Sequence, residues 1–136
     1  MKVKLPPNYK VYNQNILDFN IQTLSDLALI LWNGVCDFND QEQFSLFEKT
    51  HTLLQAEGVM CVDYIDSSKN ALPKNGVEKG DQIYSVISGG FAYIPPFEEV
   101  KKRIEMCGFV YIEKRSYQTK TNPKLLLIFK KKMNTK

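Results

Sequence analysis

Cysteine and histidine are scarce in this 136-residue chain, which has three cysteines and one histidine. Cys36, Cys61 and Cys107 lie far apart, so their spacing gives no CxxC pair, no zinc-ligand set and no disulfide framework. His51 has no serine, cysteine or acid at the spacing of a catalytic triad, so the sequence identifies no catalytic base. These absences favour a reduced, cytoplasmic location and predict no metal site.

Long apolar runs and an excess of one charge are also missing. No stretch approaches the roughly 18 apolar residues of a membrane span, and the start "MKVKLPPNYK" has no apolar core like that of a signal peptide. We therefore expect a soluble chain with no membrane partner. The net charge of +3 becomes −1 without the four lysines of the last seven residues, Lys130, Lys131, Lys132 and Lys136. The rest of the chain is therefore nearly neutral, which argues against nucleic acid as a partner. The basic tail, 130–136, is expected to be a solvated terminus.

The length and composition predict one domain over residues 1–136. Hydrophobic residues make up 43% of the chain, which is enough for a core, and the sequence has no internal repeat or low-complexity tract. A short alternating stretch predicts a strand at Val11–Asn13, followed by a loop.

Two buried strands and a helix between them are predicted next. Leu27–Trp32 is continuously apolar, which is typical of a strand covered on both faces, and Val59–Ile65 has the same character. A helix of about Gln41–Gln55 separates them. A strand, helix and strand within about 40 residues form a βαβ unit, whose crossover is almost always right-handed. The two strands are therefore predicted to be parallel.

The limits of that helix are predicted from local signals. Asp40 with Gln43 three residues later resembles a capping box, and Gly58 is expected to close the helix. The apolar spacing predicts a buried stripe of Phe44, Phe47, His51 and Leu54.

The second half of the chain begins with a stretch that has no period, residues 66–93, which predicts a long loop that is either a functional lid or disordered. Pro96 then suits the first position of a helix that Gly108 caps. Its buried stripe is predicted to be Phe97, Val100, Ile104 and Cys107. The strands "FVYIEKRSY" and "KLLLIFKK" follow, close enough to form an antiparallel hairpin. The sequence thus predicts an α/β fold with a mixed sheet.

This order of elements resembles the second half of the class I S-adenosylmethionine-dependent methyltransferases. The matching pieces are an acid, Asp26, before "LALILW", the loop "NGVCDF", the stretch "LFEKTHTLLQAEGVMCVDYI", the pair "GF" after "MC", and the terminal hairpin. Together they span about Val11 to Lys131. The resemblance implies a partial Rossmann-like methyltransferase sheet, S-adenosylmethionine as cofactor and a methyl acceptor as substrate.

The resemblance also implies a cofactor site. Trp32, Asn33 and Gly34 would line the methionine and sulfonium part, while Asn15 and Ile16 would lie in the loop that meets adenine. The family often has Asp where this chain has Asn15. Independently, ligands of open α/β sheets bind beyond the carboxyl ends of the strands, and a glycine there lets a ligand come close to the backbone. The alternative is that the Asn-Gly pair only turns the chain and that Trp32 is core.

The residues that would contact the methyl acceptor are predicted only from their positions in the sequence. Cys36 and Asp37 follow the turn, and Tyr64, Asp66 and Tyr93 flank the long loop, so all of them are placed to face a substrate. The alternative is that the two tyrosines are packing aromatics and Cys36 is a small buried hydrophobe.

The chain departs from the family in its first half. The family has a glycine-rich loop after its first strand and an acid that ends the second, and neither is present here. The chain looks like a methyltransferase that begins at its third strand. Two functions are therefore expected as alternatives: a truncated or split methyltransferase that needs a missing N-terminal half, or a non-catalytic methyltransferase-like interaction module or subunit. Without a first strand, Leu27–Trp32 becomes a sheet edge, which predicts a homo-oligomer or pairing with a complementary N-terminal half.

Overall fold

The computed structural model describes residues 6–31, 34–66, 76–79, 83–86, 91–120 and 123–132. Seven strands and two helices lie in these ranges: β1 (Ser25–Ile30), α1 (Asp40–Leu53), β2 (Leu54–Ile65), β3 (Gly76–Lys79), β4 (Ile83–Val86), β5 (Phe91–Tyr93), α2 (Phe97–Met106), β6 (Phe109–Gln118) and β7 (Pro123–Lys131). Two short 3₁₀ helices, Ile16–Asp18 and Gly34–Asp37, precede and follow β1. We call the second of them the post-β1 turn. Among the described elements, neither helix has the length and apolar character needed to cross a bilayer.

The main sheet has four strands in the order β1-β2-β7-β6. β1 and β2 are parallel, with Leu27 opposite Val59, whereas β7 is antiparallel to both β2 and β6. The predicted mixed sheet, with a parallel βαβ unit, a second helix and a terminal antiparallel hairpin, is therefore confirmed. β1 lies at one edge of this sheet.

A second sheet occupies part of the segment predicted to be one long loop. β3, β4 and β5 form an antiparallel meander in sequence order. The interpretation of 66–93 as a loop is corrected in these ranges. The strands have only three or four residues each, which is too short for an alternating pattern to stand out among glycines and serines.

The core lies on one face of the main sheet, under α1 and α2. Alternate residues of the two central strands point to that face and are buried, because side chains of a strand alternate between its faces. They are Met60, Val62 and Tyr64 of β2 and Leu125, Leu127 and Phe129 of β7. Val100 and Ile104 of α2 complete the stripe predicted for that helix, with Phe97 and Cys107 packed against it.

Apolar residues on part of the opposite face of the main sheet are only partly buried, and we call this part the open face. Ile65, Asp63 and Lys124 lie on the same side of the sheet near the end of β2 and are buried. The open face is formed by Leu27 and Leu29 of β1, Cys61 of β2, Val110 of β6, and Leu126 and Ile128 of β7. Leu27, Leu29 and Val110 are 52%, 55% and 45% exposed. Both described helices pack on the other face.

The limits of α1 differ from the prediction. Asn39 is the N-cap and forms a capping box with Glu42, one residue earlier than the expected Asp40 and Gln43. The helix ends at Leu53 and β2 begins at the next residue, so Gly58 lies inside a strand and does not cap. The buried stripe is Gln43, Leu46, Phe47 and Thr50, which shifts the predicted stripe and leaves Phe44 and His51 half-buried.

The predicted strand Val11–Asn13 is not formed. Val11 is 76% exposed, and Tyr12 packs its ring edge-on against Phe19 at 4.8 Å between centroids. An alternating pattern cannot make a strand without a neighbour to pair with, and none of the described strands pairs with this segment.

Candidate functional site

The candidate site lies where β1 and β2 end. Because these strands are parallel, their carboxyl ends meet at the same edge of the sheet. The post-β1 turn follows β1 at this edge, Asp66 follows β2, and β5 lies beside the turn. Three elements that are distant in sequence therefore meet there.

The post-β1 turn is held from α1 by one buried side chain. The amide nitrogen of Gln43 donates hydrogen bonds to the carbonyl oxygens of Val35 and Phe38, at 3.1 and 3.0 Å. Gln43 is fully buried, so these bonds fix the turn without competition from water.

The amide oxygen of Gln43 is fixed in turn from α2. Arg103 Nη1 donates to Gln43 Oε1 at 2.9 Å, and Arg103 Nη2 forms ion pairs with Asp40 at 2.6 Å and with Glu99 at 3.4 Å. A chain of polar contacts thus links α2, α1 and the turn. Sequence reasoning missed this role of Gln43, because its partners lie eight residues before and 60 residues after it.

Gly34 begins the post-β1 turn and is not required there by the packing of the chain. A Cβ atom at this position would lie 3.4 Å from Ile30 Cγ2, which is an ordinary contact, and its φ lies outside the left-handed region. The described fold would therefore accept a small side chain at Gly34.

Cys36 is buried in the core at 3% exposure. Burial, followed by the negative charge of Asp37, raises the pKa of the Cys36 thiol to about 12. The thiol stays protonated at neutral pH, so Cys36 does not supply a thiolate nucleophile. Asp37 itself is exposed at the end of the turn.

Tyr64 is fully buried, and its hydroxyl has no hydrogen-bond partner among the residues that the structure describes. Burial, and then the proximity of Cys36 and Asp66, raise the pKa of this hydroxyl above its usual value of 10.0. A neutral hydroxyl that is buried without a partner is uncommon in folded proteins. It remains available to donate one hydrogen bond and to accept another.

Buried charged groups accompany Tyr64 at this end of the sheet. Asp63, Asp66 and Lys124 are less than a tenth exposed, and Tyr117 donates a hydrogen bond from its hydroxyl to Asp63 Oδ2 at 3.1 Å. Burial and the charge of Asp63 raise the pKa of Tyr117. The sequence contains a signal for this group, since "VDYID" places two acids in an otherwise apolar strand, and the predicted site includes Asp66 but not Asp63.

The two residues predicted for the adenine loop lie on the 3₁₀ helix Ile16–Asp18 and its cap. Asn15 Oδ1 accepts a hydrogen bond from the backbone N–H of Leu17 at 3.0 Å, and the half-buried Ile16 packs against the core. This 3₁₀ helix contacts α1.

The remaining predicted residues are less fully placed. Trp32 and Asn33 lie outside the described residues. Tyr93 is the last residue of β5, opposite Ile83 of β4, and its side chain is outside the description. The predicted residues that the structure brings to one edge of the sheet are Gly34, Cys36, Asp37, Tyr64 and Asp66. In the described part of the chain, no three Asp, Glu, His or Cys side chains are grouped as metal ligands.

The fold is similar to that of solved S-adenosylmethionine-dependent methyltransferases. The chain superimposes on the 1,6-didemethyltoxoflavin-N1-methyltransferase of Burkholderia thailandensis, whose structure holds S-adenosylhomocysteine, with a TM-score of 0.68 at 11% identity. A methyltransferase of Clostridium acetobutylicum gives 0.66 at 15% identity, and the N-methyltransferase NodS of Bradyrhizobium japonicum gives 0.61 at 13%.

These matches cover 87%, 88% and 90% of this chain but only 48%, 63% and 59% of the three methyltransferases. The chain therefore has a partial methyltransferase fold, and it spans about half to two thirds of the length of these proteins. No protein-family model matches the sequence, and no curated protein sequence matches it.

Proposed function

We propose that this chain forms part of an S-adenosylmethionine-dependent methyltransferase and contributes the post-β1 side of the cofactor site. The observation that carries the proposal is the position of the post-β1 turn, at the carboxyl ends of two parallel strands in a methyltransferase-like fold. Open α/β sheets bind their ligands at this edge.

The residues at this edge fit one side of the cofactor. Glycine at Gly34 is not needed by the fold itself, which supports a role in letting a ligand approach the backbone. Asn15 uses its side-chain oxygen as a helix cap, and its amide nitrogen is left to donate to an adenine edge. Ile16, Trp32 and Asn33 complete the proposed cofactor contacts.

The residues on the methyl-acceptor side of the site are proposed from their positions and their protonation states. S-adenosylmethionine, when bound, supplies an electrophilic methyl group. Cys36 and Tyr64 are neutral at pH 7, because the ordinary pKa of each group lies above 7 and burial raises it further. The exposed Asp37 and the nearby Tyr93 would contact an acceptor, and the buried Cys36 and Tyr64 would support this side of the site from the core. We assign no general base.

A non-catalytic interaction module is the second candidate function. The open face of the main sheet favours it, because apolar side chains there are left exposed in a fold whose sheets are ordinarily covered on both faces. The sequence also lacks the glycine-rich loop that holds the cofactor's carboxypropyl end in the family it resembles.

Calorimetric titration with S-adenosylhomocysteine tests the proposed site. We expect weak binding by the isolated chain, with a dissociation constant on the order of 0.1–1 mM, because only one side of the site is present. The ligand is proposed to contact the protein backbone at Gly34. Gly34→Val places a branched side chain at this point, so binding should be lost. Gly34→Ala, with unchanged thermal unfolding, controls for the fold.

Two results would contradict the proposal. Equal affinity in Gly34→Val and the unchanged chain would place the ligand elsewhere. No heat of binding at millimolar ligand, in a chain that unfolds cooperatively, would favour the non-catalytic module.

A further inference from the structure

Arg103 of α2 contacts the first turns of both helices. Its guanidinium forms ion pairs with Asp40, the first residue of α1, and with Glu99 in the first turn of α2. The Arg103 side chain is only 12% exposed. A charged group that is mostly removed from water needs charged or hydrogen-bonding partners, so Arg103 is held firmly between the two helices.

The same guanidinium also reaches the residue that holds the post-β1 turn. Arg103 Nη1 donates to Gln43 Oε1 at 2.9 Å. The other atom of that amide, Gln43 Nε2, donates to the carbonyl oxygens of Val35 and Phe38 at 3.1 and 3.0 Å. Because one planar group carries both the oxygen and the nitrogen, Arg103 and the turn bind the two ends of a single rigid unit.

Hydrogen-bonding chemistry determines the orientation of this amide. A guanidinium only donates hydrogen bonds, and the carbonyl groups of the turn only accept them, so the Gln43 oxygen faces α2 and the nitrogen faces the turn. Gln43 is fully buried, so these bonds form without competition from water. A displacement of Arg103 is therefore expected to displace the amide and, with it, the turn.

The post-β1 turn has few hydrogen bonds of its own to fix its conformation. The N–H of Gly34 donates to the carbonyl oxygen of Leu31 at 3.1 Å, and the N–H of Phe38 donates to that of Val35 at 3.3 Å. The Val35 oxygen is also one of the two that accept from Gln43. A single 3₁₀ turn has poorer hydrogen-bond geometry than an α-helix, so its conformation depends strongly on contacts from outside.

We infer that Arg103 is a positioning residue of the ligand site, which acts through Gln43 to fix the post-β1 turn and thereby sets the affinity of this edge for its ligand. The inference rests on the proposed function for the identity of the ligand, whereas the effect of Arg103 on the turn does not depend on it. Arginine suits this role because its planar fork donates to an amide oxygen and to carboxylates at once, which the single ammonium group of lysine cannot do in the same geometry.

NMR spectra of Arg103→Met test the effect on the turn. Methionine keeps much of the apolar stem and removes the guanidinium. In protein that circular dichroism shows to be folded, we expect the backbone amide signals of 34–38 to shift, because the Gln43 amide moves. A loss of stability alone would leave the signals of the folded molecules in place. Arg115→Met is the matched control, since Arg115 forms an ion pair with Glu113 at 2.9 Å but lies on β6, at the opposite edge of the main sheet from β1. It should leave the turn signals unchanged.

Titration with S-adenosylhomocysteine then tests the effect on affinity, with the turn amide signals as the readout. Arg103→Met should weaken binding roughly fivefold, which is typical of a residue that acts on a site without contacting the ligand. Arg115→Met should bind as the unchanged chain does. Arg103→Lys replaces Arg103→Met if the latter does not fold. It keeps the positive charge beside Asp40 and Glu99 but should shift the same turn signals, because the fork is lost.

Three results would overturn the inference. Unchanged turn signals in a folded Arg103 variant would show that the turn is held without Arg103. Equal shifts in Arg115→Met would show a general effect of losing an arginine. Shifted signals with unchanged affinity would show that Arg103 does not set the affinity of the site. If the unchanged chain binds no S-adenosylhomocysteine, the proposed function is refuted, and the turn signals alone then decide whether Arg103 fixes the turn.

Discussion

At the scale of single residues, Gly108 is the position where the fold most clearly requires glycine. It follows α2 with a φ of +95°, in the left-handed region that other residues rarely adopt. A Cβ atom here would lie 2.8 Å from His51 Nε2. His51 cannot move away freely, because its ring packs edge-on against Phe109 at 5.2 Å between centroids.

Gly108→Ala should therefore destabilise the protein by about 1–3 kcal/mol, since it combines backbone strain with a collision against a packed ring. Urea unfolding followed by circular dichroism measures the loss. Gly34→Ala is the matched control and should change the free energy of unfolding little, because a Cβ atom there makes only ordinary contacts. Equal stabilities of the two variants would refute the strain argument.

The glycines also show how well helix ends can be predicted from the local sequence. Gly108 was correctly predicted to end a helix, because the residues before it have a clear helical period. Gly58 was wrongly given the same role, since α1 ends at Leu53 and passes directly into β2. The left-handed position near this junction belongs to Glu57, with a φ of 65°. Sequence alone cannot say which residue takes that conformation when no loop separates two elements.

At the scale of elements, the post-β1 turn depends on side chains of two helices. Gln43 of α1 donates to two carbonyl groups around the turn, and Arg103 of α2 holds the Gln43 amide. Gln43→Met keeps the shape of the side chain but removes all three hydrogen bonds. We expect a loss of about 2–4 kcal/mol, because the carbonyl groups and the guanidinium lose buried partners.

Thermal or urea unfolding measures this loss, with Gln41→Met as the matched control on the exposed side of the same helix. Gln41→Met should be close to neutral. If Gln43→Met were also neutral, water or neighbouring groups would replace the lost hydrogen bonds, and the turn would not depend on α1.

Prediction of elements from sequence succeeded where the signal was long and local. β1 and β2 were predicted from continuous apolar runs, and β6 and β7 from two strong strand patterns separated by a short turn. The meander β3-β4-β5 was not predicted, because its strands are short and are recognised only by their pairing with one another. The sequence of a single strand does not show that pairing. The buried role of Gln43 was missed for a related reason: its partners lie on other elements.

The candidate site was predictable in outline only. Parallel strands fix which edge of the sheet carries the ligand crevice, and this follows from the βαβ spacing alone. The Tyr64 hydroxyl, which has no partner among the described residues, is buried by residues that are distant in sequence, so composition and spacing cannot reveal it.

At the scale of the whole molecule, the strand order predicts an uneven distribution of stability. β2 and β7 are central, and each is paired on both sides, so their backbone amides are held within the sheet. Among the described strands, β1 is paired with β2 only. In a parallel strand, successive N–H groups point to opposite sides, so every second amide of β1 is directed at the free edge.

Hydrogen exchange followed by NMR should reveal this pattern. We expect slow exchange throughout the central part of β2 and β7, and an alternation of slow and fast amides along Leu27–Ile30 of β1. The edge of β6 is the internal control, since its outward-facing amides should also exchange fast. Uniformly slow amides along β1 in a monomer would mean that the chain itself covers this edge, and the expected alternation would be refuted.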